Sequence, residues 1–151
     1  MSKNIVVING SPNPNGATAR LAAALLAGKD YETILLPEHR IYPYGSRLDG
    51  DEFDWVLAKM KAADLIVIGS PVYWHNICGA VRTLLDRFYG PVAEGGLSGR
   101  KLVFLYQGAA PEKWMLDAGE YTMSRFAMLY GMDWLGMAVT QKDAENLAKK
   151  L

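Results

Sequence analysis

The chain is poor in cysteine and histidine. It has one cysteine, Cys78, which cannot form an internal disulfide bond, so no disulfide framework is expected. The two histidines, His39 and His75, have no ligand-like spacing with each other or with Cys78. We therefore expect no metal site. Without disulfides, the default compartment is the cytoplasm.

The sequence also lacks an excess of charge and long apolar runs. Its 16 Lys and Arg residues balance 16 Asp and Glu residues, which gives a formal net charge of zero. Nucleic acids and anionic membrane surfaces attract basic proteins, so neither is an expected partner. The apolar runs are a few residues long, too short to span a bilayer or to form the core of a signal peptide.

Half of the residues (50%) are hydrophobic, and five short apolar runs are spaced along the chain. We predict one domain covering residues 1–151, because this length can bury a sizeable core. The predicted strands are Ile5–Ile8, Thr33–Leu36, Leu65–Ile68, Leu102–Leu105 and Trp134–Val139. The first, third and fourth runs are continuous rather than alternating, as in strands that are covered on both faces.

Apolar residues at helical spacing lie between the predicted strands. The stripes are Leu21, Ala24 and Leu25; Phe53, Val56, Leu57 and Met60; Val81, Leu84, Leu85 and Phe88; and Met123, Phe126, Ala127 and Tyr130. A short polar helix is predicted from Asp143 to Leu151. Alternating strands and helices favour an α/β fold, a three-layer αβα sandwich with a five-stranded parallel sheet. The strand order expected for it is 2-1-3-4-5.

The tripeptide GSP occurs twice, each time directly after an apolar run, at Gly10–Pro12 and Gly69–Pro71. In an open parallel sheet, ligands bind beyond the carboxyl ends of the strands, where the winding direction reverses. Strands 1 and 3 flank that point in the order 2-1-3-4-5. The two turns are therefore expected to face each other across one crevice.

The first turn offers hydroxyls, side-chain amides and a glycine, and then enters a helix whose first N–H groups favour an anion. The predicted phosphate-binding residues are Ser11, Asn13, Asn15, Gly16, Ala17 and Thr18. No Lys or Arg lies in the turn before Arg20, so neutral donors are expected to hold most of a phosphate. The alternative is an ordinary strand-to-helix turn in which Asn or Thr caps the helix.

Other anion-binding motifs do not fit. Gly16 is followed by Ala17 and Thr18, where a Walker P-loop needs Gly-Lys-Ser/Thr. The dinucleotide pattern G-x-G-x-x-G is absent after the first strand. A cysteine phosphatase needs an arginine six positions after its cysteine, and Leu84 stands six after Cys78.

The second turn is aromatic, and a third turn of small residues follows the fourth strand. Aromatic side chains beside exposed backbone amides suit a flat, partly polar ring system, although packed aromatics at a sheet edge are an alternative. The predicted ring-binding residues are Pro71, Val72, Tyr73, Trp74, His75 and Asn76 in the second turn and Gln107, Gly108 and Ala109 in the third. A phosphate, a linker and a planar heterocycle together describe FMN.

Two stretches, NGSPNPNGATARL (Asn9–Leu21) and ADLIVIGSPVYWHNICGAVRTLLDRF (Ala63–Phe88), resemble the flavodoxin-like NAD(P)H-dependent FMN reductases, close to their iron–sulfur flavoprotein branch. The resemblance covers roughly residues 4 to 107. It implies an oxidoreductase with FMN that takes hydride from NADPH or NADH and passes electrons to a small acceptor such as a quinone, a nitro or azo compound, or a flavin. No side chain has to act as an acid or base, so no catalytic residue is predicted. A homodimer or homotetramer is expected.

Pro37–Asp51 departs from that resemblance, because iron–sulfur members carry cysteines after the second strand and this segment has none. No cluster is therefore expected. The segment is long for a strand-to-helix connection. It could cover the flavin, contact the adenosine phosphate of a nicotinamide cofactor, lie in a subunit interface, or be a solvated loop packed by its own tyrosines. Of the charged residues beyond it, Arg82 and Asp86 are expected to pair, and Asp86 and Arg87 to form a helix-end ion pair or a subunit contact.

Two other functions remain open. A flavodoxin-type electron carrier, without its own NAD(P)H oxidation, would have the same fold. Such carriers are usually strongly acidic, and the zero net charge disfavours this alternative. The second is a scaffold that has lost its cofactor, which the intact donors of the first turn disfavour.

Overall fold

A computed structural model of the chain describes residues 2–151. The strands are β1 (Ile5–Asn9), β2 (Glu32–Leu35), β3 (Leu65–Tyr73), β4 (Asn76–Ile77), β5 (Lys101–Gln107) and β6 (Asp133–Ala138). The helices are α1 (Ala17–Leu25), α2 (Phe53–Ala62), α3 (Gly79–Asp86), α4 (Lys113–Leu129) and α5 (Gln141–Ala148). A short 3₁₀ turn spans Leu36–Glu38.

The sheet has the order β2-β1-β3-β5-β6, and these five strands pair in parallel. The predicted α/β fold and strand order are therefore confirmed. The two-residue strand β4 was not predicted, and it pairs antiparallel with β3. β3 also extends beyond its predicted end, because Ser70 and Pro71 continue the parallel pairing opposite Tyr106 and Gln107.

Side chains alternate between the two faces of the sheet, so each central strand contributes to two cores. Val7 and Val67 face one core with α1 and α5, and Ile8 and Ile68 face the other with α2, α3 and α4. The predicted helical stripes are buried except at Ala24, which is only partly buried. On α1 the buried residues are Thr18, Leu21, Ala22 and Leu25, one helical face at i, i+3, i+4 and i+7.

The parallel strands place the ends of β1, β3 and β5 at the same edge of the sheet. The residues that follow these strands therefore lie side by side, and that edge is where the functional residues were predicted. Across residues 2–151, no helix combines the length and hydrophobicity needed to cross a membrane.

Candidate functional site

The two GSP turns lie against each other. The backbone N–H of Gly10 donates to the carbonyl oxygen of Gly69 at 2.8 Å. A Cβ on Gly10 would lie 2.6 Å from Cγ2 of Val81 and 2.7 Å from Sγ of Cys78, and a Cβ on Gly69 would overlap the methyl group of Thr18. Each glycine thus leaves room for a side chain that belongs to the other turn or its helix, and the two turns are in direct contact.

A chain of side-chain acceptors fixes the first turn. The Oδ1 atom of Asn9 accepts from the N–H of Ser11 at 2.9 Å, and Oγ of Ser11 accepts from the N–H of Asn13 at 3.2 Å. The Oδ1 atom of Asn13 then accepts from the N–H of Asn15 at 3.0 Å. The turn therefore holds its shape through its own side chains, while the hydroxyl proton of Ser11 and the amide NH₂ groups of Asn13 and Asn15 remain available as donors.

The helix that follows this turn begins without a side-chain cap. Its N-cap residue is Gly16, so the alternative in which Asn or Thr caps the helix is wrong. The N–H of Arg20 is the first to donate to the carbonyl of Gly16, which leaves the N–H groups of Ala17, Thr18 and Ala19 without an intrahelical acceptor. The first turn of α1 contains no acidic residue. These free donors and the helix dipole favour an anion.

Two further residues at this turn were not predicted to matter. The guanidinium of Arg20 donates to the carbonyl of Asn15 at 3.2 Å, so the turn carries a positive charge that the sequence pattern did not place there. Asn9 is 0% exposed, and its Nδ2 atom has no hydrogen-bond partner within residues 2–151. A buried amide donor without a partner is costly. Asn9 therefore still needs an acceptor, like the free N–H groups at the start of α1.

The second turn is a tight hairpin between β3 and β4. Val72 pairs with Ile77 and Tyr73 with Asn76. The two residues at the corner, Trp74 and His75, have φ angles of 48° and 66°, and within residues 2–151 no other non-glycine residue has a positive φ. Positive φ at both central residues is typical of a type I′ turn, which normally favours Asn-Gly. The hairpin therefore stores backbone strain and presents Trp74 with 94% of its surface exposed.

The serine of the second GSP has a different environment from that of the first. Ser70 is fully buried, and its hydroxyl accepts from the N–H of Cys78 at 2.9 Å and donates to the carbonyl of Pro71 at 2.7 Å. The bond from Cys78 holds the hairpin against the start of α3. Its donor and its acceptor are both used within the chain.

The third turn packs directly against the second. A Cβ on Gly108 would lie 3.0 Å from Cβ of Val72, so the close approach of these turns depends on glycine. Between them lies a cavity of about 430 Å³. Its lining residues are Val72, Trp74, His75, Gly108, Ala109, Ala110, Pro111, Glu112 and Met115.

The cavity includes some of the predicted ring-binding residues and leaves out others. Those that line it are Val72, Trp74, His75, Gly108 and Ala109, while Pro71, Tyr73, Asn76 and Gln107 do not. Pro71 is buried within β3, and the carboxamide of Gln107 donates to the carbonyl of Gly108 at 3.0 Å. The residues of the first turn also lie outside the cavity lining.

The start of α4 supplies residues that sequence analysis missed. Glu112 and Met115 line the cavity, and Trp114 lies beside it with its ring centroid 5.5 Å from that of His75, edge to face. The indole N–H of Trp114 donates to the carboxylate of Glu112 at 2.9 Å. Only the position of these residues in the sequence could have indicated them, because α4 begins directly after the third turn at the same edge of the sheet.

A larger cavity of about 510 Å³ lies between α1 and β2. Its lining is mainly apolar and includes Val7, Ala22, Ala23 and Leu35. Asn15 belongs to this lining, but none of the residues of the second or third turn does. This cavity is therefore separate from the aromatic one.

The Pro37–Asp51 segment is anchored to the end of α3. The guanidinium of Arg87 contacts the carboxylate of Asp51 at 2.5 Å and donates to the carbonyl of Tyr42 at 2.9 Å. Burial raises the pKa of Asp51, but hydrogen bonds from Arg87 and from the N–H groups of Phe53 and Tyr42 outweigh it and hold that pKa below its usual value. No residue of the segment lines the cavity between the second and third turns.

This anchoring corrects one predicted ion pair and supports another. Arg87 pairs with Asp51, which lies 36 residues earlier, and the predicted helix-end pair between Asp86 and Arg87 is wrong. Asp86 instead pairs with Arg82 at 3.3 Å, one helical turn away, as predicted. Within residues 2–151, no three His, Cys, Asp or Glu side chains are grouped as metal ligands.

Comparison with known proteins gives one family match. The sequence pattern of the family described as NADPH-dependent FMN reductase matches residues 3–145. Among curated relatives, the iron–sulfur flavoprotein MJ1083 of Methanocaldococcus jannaschii is 34% identical over 97 residues, 55% of this chain and 50% of its own. An iron–sulfur flavoprotein of Archaeoglobus fulgidus is 34% identical over 95 residues, with 55% and 47% covered. The chain spans about half the length of the curated relatives it matches.

Solved structures share the fold over nearly the whole chain. The Trp repressor binding protein of Bacillus subtilis superposes with a TM-score of 0.77 at 20% identity, covering 95% of this chain and 98% of that one. The apo form of an NADH:FMN oxidoreductase, EMOB, superposes with a TM-score of 0.68 at 22% identity, covering 98% and 86%. At such identities the likeness establishes the flavodoxin-like fold and no more.

Proposed function

The chain belongs to the NADPH-dependent FMN reductase family, and on that premise we propose that it is an FMN-dependent oxidoreductase that takes hydride from NADPH or NADH. Its electrons pass to a small acceptor such as a quinone, a nitro or azo compound, or a free flavin. The observation that carries the proposal is the uncapped N-terminus of α1 at the same sheet edge as an aromatic cavity. An anion site and a ring site so arranged suit a phosphorylated planar cofactor.

The first turn would hold the phosphate of FMN. The free N–H groups of Ala17 and Thr18, the hydroxyl of Ser11 and the amides of Asn13 and Asn15 are donors of the kind that a phosphate needs. The nearby guanidinium of Arg20 and the unopposed helix dipole compensate its charge. This donor set fits a phosphate.

The second and third turns would hold the ring. Trp74 can cover one face of a planar ring, whereas Gly108, Ala109 and Ala110 are small and leave the other face accessible. Open access suits a nicotinamide ring and then an acceptor, which must each approach closely for a direct transfer. When bound, FMN supplies the redox chemistry, and the protein orients it and shields it from water.

The main test is reduction of the bound flavin by nicotinamides. Purified protein should take up FMN in a titration, release FMN on denaturation, and lose its yellow colour within seconds when mixed anaerobically with NADPH or NADH. A quinone should restore the colour. Failure to bind FMN would exclude the proposal. If FMN binds and dithionite reduces it, but neither nicotinamide does, the electron-carrier alternative is correct.

A cavity-filling variant makes this test specific to the site. Gly108→Leu would drive a side chain into Val72 and the cavity, so FMN binding should weaken at least tenfold. Gly79→Ala is the matched control, because a Cβ there has no atom within 4 Å. Its FMN affinity should equal that of the original protein.

A further inference from the structure

The edge strand β2 is covered by helices on one face of the sheet and left uncovered on the other. Ile34 faces the covered side and is 1% exposed, whereas Thr33 is exposed and Leu35 is only partly buried. The buried face of α1 packs in one core with residues of β3 and β5, toward the middle of the sheet. The cavity of about 510 Å³ between α1 and β2 occupies the space that remains, and ligand pockets typically measure about 300–1,000 Å³.

Paired strands form the floor of this cavity, and small residues form its side wall. In the parallel register Val7 lies opposite Thr33 and Asn9 opposite Leu35, and side chains two residues apart share one face of the sheet. Tyr31 lines the cavity just before β2 begins, at the end away from Asn9. The small residues that α1 contributes to the wall are Ala19, Ala22 and Ala23. A flat floor beside a wall of alanines suits a flat apolar ligand.

One end of the cavity carries hydrogen-bond donors that lack acceptors. Asn9 is 0% exposed and its Oδ1 atom is used by the N–H of Ser11, but its Nδ2 atom has no partner within residues 2–151. Arg20 is the one charged residue among the described residues that line the cavity, and it forms no ion pair within residues 2–151. One of its N–H groups donates to the carbonyl of Asn15, which positions the guanidinium. A group that only accepts hydrogen bonds and carries a negative charge therefore matches this end.

We propose that this cavity is a second ligand site, which binds a flat aromatic carboxylate. The ring lies on the strand floor beside the alanines of α1, and the carboxylate accepts from Nδ2 of Asn9 and from the guanidinium of Arg20. Hydrogen bonds between ionised groups are about twice as strong as neutral ones, and the buried amide gains the acceptor that it lacks. A bare anion such as phosphate would satisfy these donors but leave the apolar floor and wall uncovered.

This site goes beyond the proposed redox function and does not rest on it. No residue of the aromatic cavity between the second and third turns lines the cavity beside α1. Protein saturated with FMN should therefore still bind one aromatic carboxylate per chain. Displacement of the carboxylate by FMN would assign the cavity to the FMN site and overturn the inference. A protein that binds the carboxylate but not FMN would support this inference while excluding the proposed function.

Calorimetric titration with 2-naphthoate tests the ligand class. The original protein should bind one molecule per chain with a dissociation constant of about 100 μM or lower, an ordinary affinity for a ligand of this size. The neutral analogue 2-naphthamide has nearly the same shape and should bind about tenfold more weakly or worse, because its acceptor carries no charge. Equal affinities would overturn the assignment of a carboxylate. The absence of 2-naphthoate binding at millimolar concentration would overturn the site itself.

Two variants place the binding in this cavity. Ala23→Trp fills the cavity from its wall and should lower the affinity for 2-naphthoate about tenfold or more. Ala58→Trp makes the same change at an exposed position of α2 and should leave the affinity unchanged. Asn9→Asp keeps the acceptor for the N–H of Ser11 but replaces the free donor with a negative oxygen, so binding should again fall about tenfold or more. Ala23 is itself exposed, so its variant tests the site even where Asn9→Asp lowers stability. Unchanged binding in Ala23→Trp would overturn the proposal.

Discussion

The N–H of Gly10 donates to the carbonyl oxygen of Gly69 at 2.8 Å, and this single bond joins the two copies of GSP. The repeated tripeptide has a common backbone role but different side-chain roles. Ser11 keeps its hydroxyl proton free at the first turn, while Ser70 uses both its donor and its acceptor to hold the hairpin. The likeness of the copies therefore reflects the close approach of two strand ends.

Gly10→Ala should destabilise the fold. The added Cβ would lie 2.6 Å from Val81 and 2.7 Å from Cys78, inside a packed region, and such overpacking typically costs about 1–3 kcal/mol. Urea unfolding measures the change. The same substitution at Gly79, where a Cβ meets no atom within 4 Å, should change the free energy of unfolding by no more than about 0.5 kcal/mol. Equal effects at both positions would show that the contact at Gly10 is relaxed in solution.

Ser11→Ala should weaken the binding of FMN more than that of riboflavin. The lost hydroxyl is proposed to donate to the phosphate, and a hydrogen bond to a charged group is worth about 1.5–3 kcal/mol. Fluorescence titration with both ligands gives the ratio of the dissociation constants for riboflavin and FMN. Ser70→Ala is the matched control, because it should lower stability by leaving the N–H of Cys78 unpaired while preserving the ratio. A Ser11 variant that loses both ligands equally would assign Ser11 a structural role.

Thr18→Val extends that comparison to the helix. Val keeps the methyl group that packs on Gly69 and removes the hydroxyl, so any loss of binding reports on hydrogen bonding. We expect FMN affinity to fall about tenfold or more while riboflavin affinity is little changed. If the two affinities fall together, Thr18 acts through the fold.

Trp74→Asn should raise stability and lower FMN affinity. The φ of 48° at Trp74 is unfavourable for most residues, and Asn tolerates it well in a type I′ turn. Because the Trp74 side chain is almost fully exposed, its removal forfeits little packing, so we expect a gain of about 0.5–1 kcal/mol. The melting temperature of the variant should therefore rise, and its affinity for FMN, measured by titration, should fall. A less stable variant, or one with unchanged FMN affinity, would contradict this account of the hairpin.

Asp51→Asn should destabilise the protein at neutral pH and have less effect in acid. The pKa of Asp51 is held below 3.8 in the folded protein, so the carboxylate stabilises the fold above that pH. This contribution is lost as the pH falls through the lowered pKa. We expect a cost of about 1–3 kcal/mol at pH 7. Urea unfolding at a series of pH values should show the two proteins converging below about pH 4.

The control for this prediction is Glu32→Gln, which removes the charge from an exposed pair. Glu32 and Lys59 contact at 3.0 Å with 47% and 37% of their side chains exposed. Such surface pairs contribute about 0–1 kcal/mol. A cost at Asp51 no larger than that at Glu32 would mean that Arg87 does not anchor the segment.

The sheet could be predicted because each of its strands is marked by a short continuous stretch of the sequence. Continuous apolar runs mark strands buried on both faces, and the helices between them leave few alternatives to the observed order. The adjacency of the two GSP turns followed from that order. The hairpin between β3 and β4 could not be predicted, because Trp74 and His75 replace the Gly and Asn residues that normally indicate a type I′ turn.

The anchoring ion pair and the cavity residues of α4 were missed because their partners are distant in sequence or adjacent only in the fold. Arg87 and Asp51 are separated by 36 residues, and neither has a pattern that indicates the other. Glu112 and Met115 line the cavity because α4 begins directly after the third turn. The helical pattern of the sequence predicts whether these residues are buried or exposed, but not that they line a cavity.

The strand order also has a consequence for the growing polypeptide on the ribosome. β1 is made before β2 and β3, yet it lies between them in the sheet and needs both as neighbours. Until Leu65–Tyr73 has emerged, one edge of this apolar strand has no partner and is open to pairing with other chains. The docking of β3 closes that edge and at the same time joins Gly10 to Gly69. The same step therefore covers the open edge of β1 and fixes the contact between the two GSP turns.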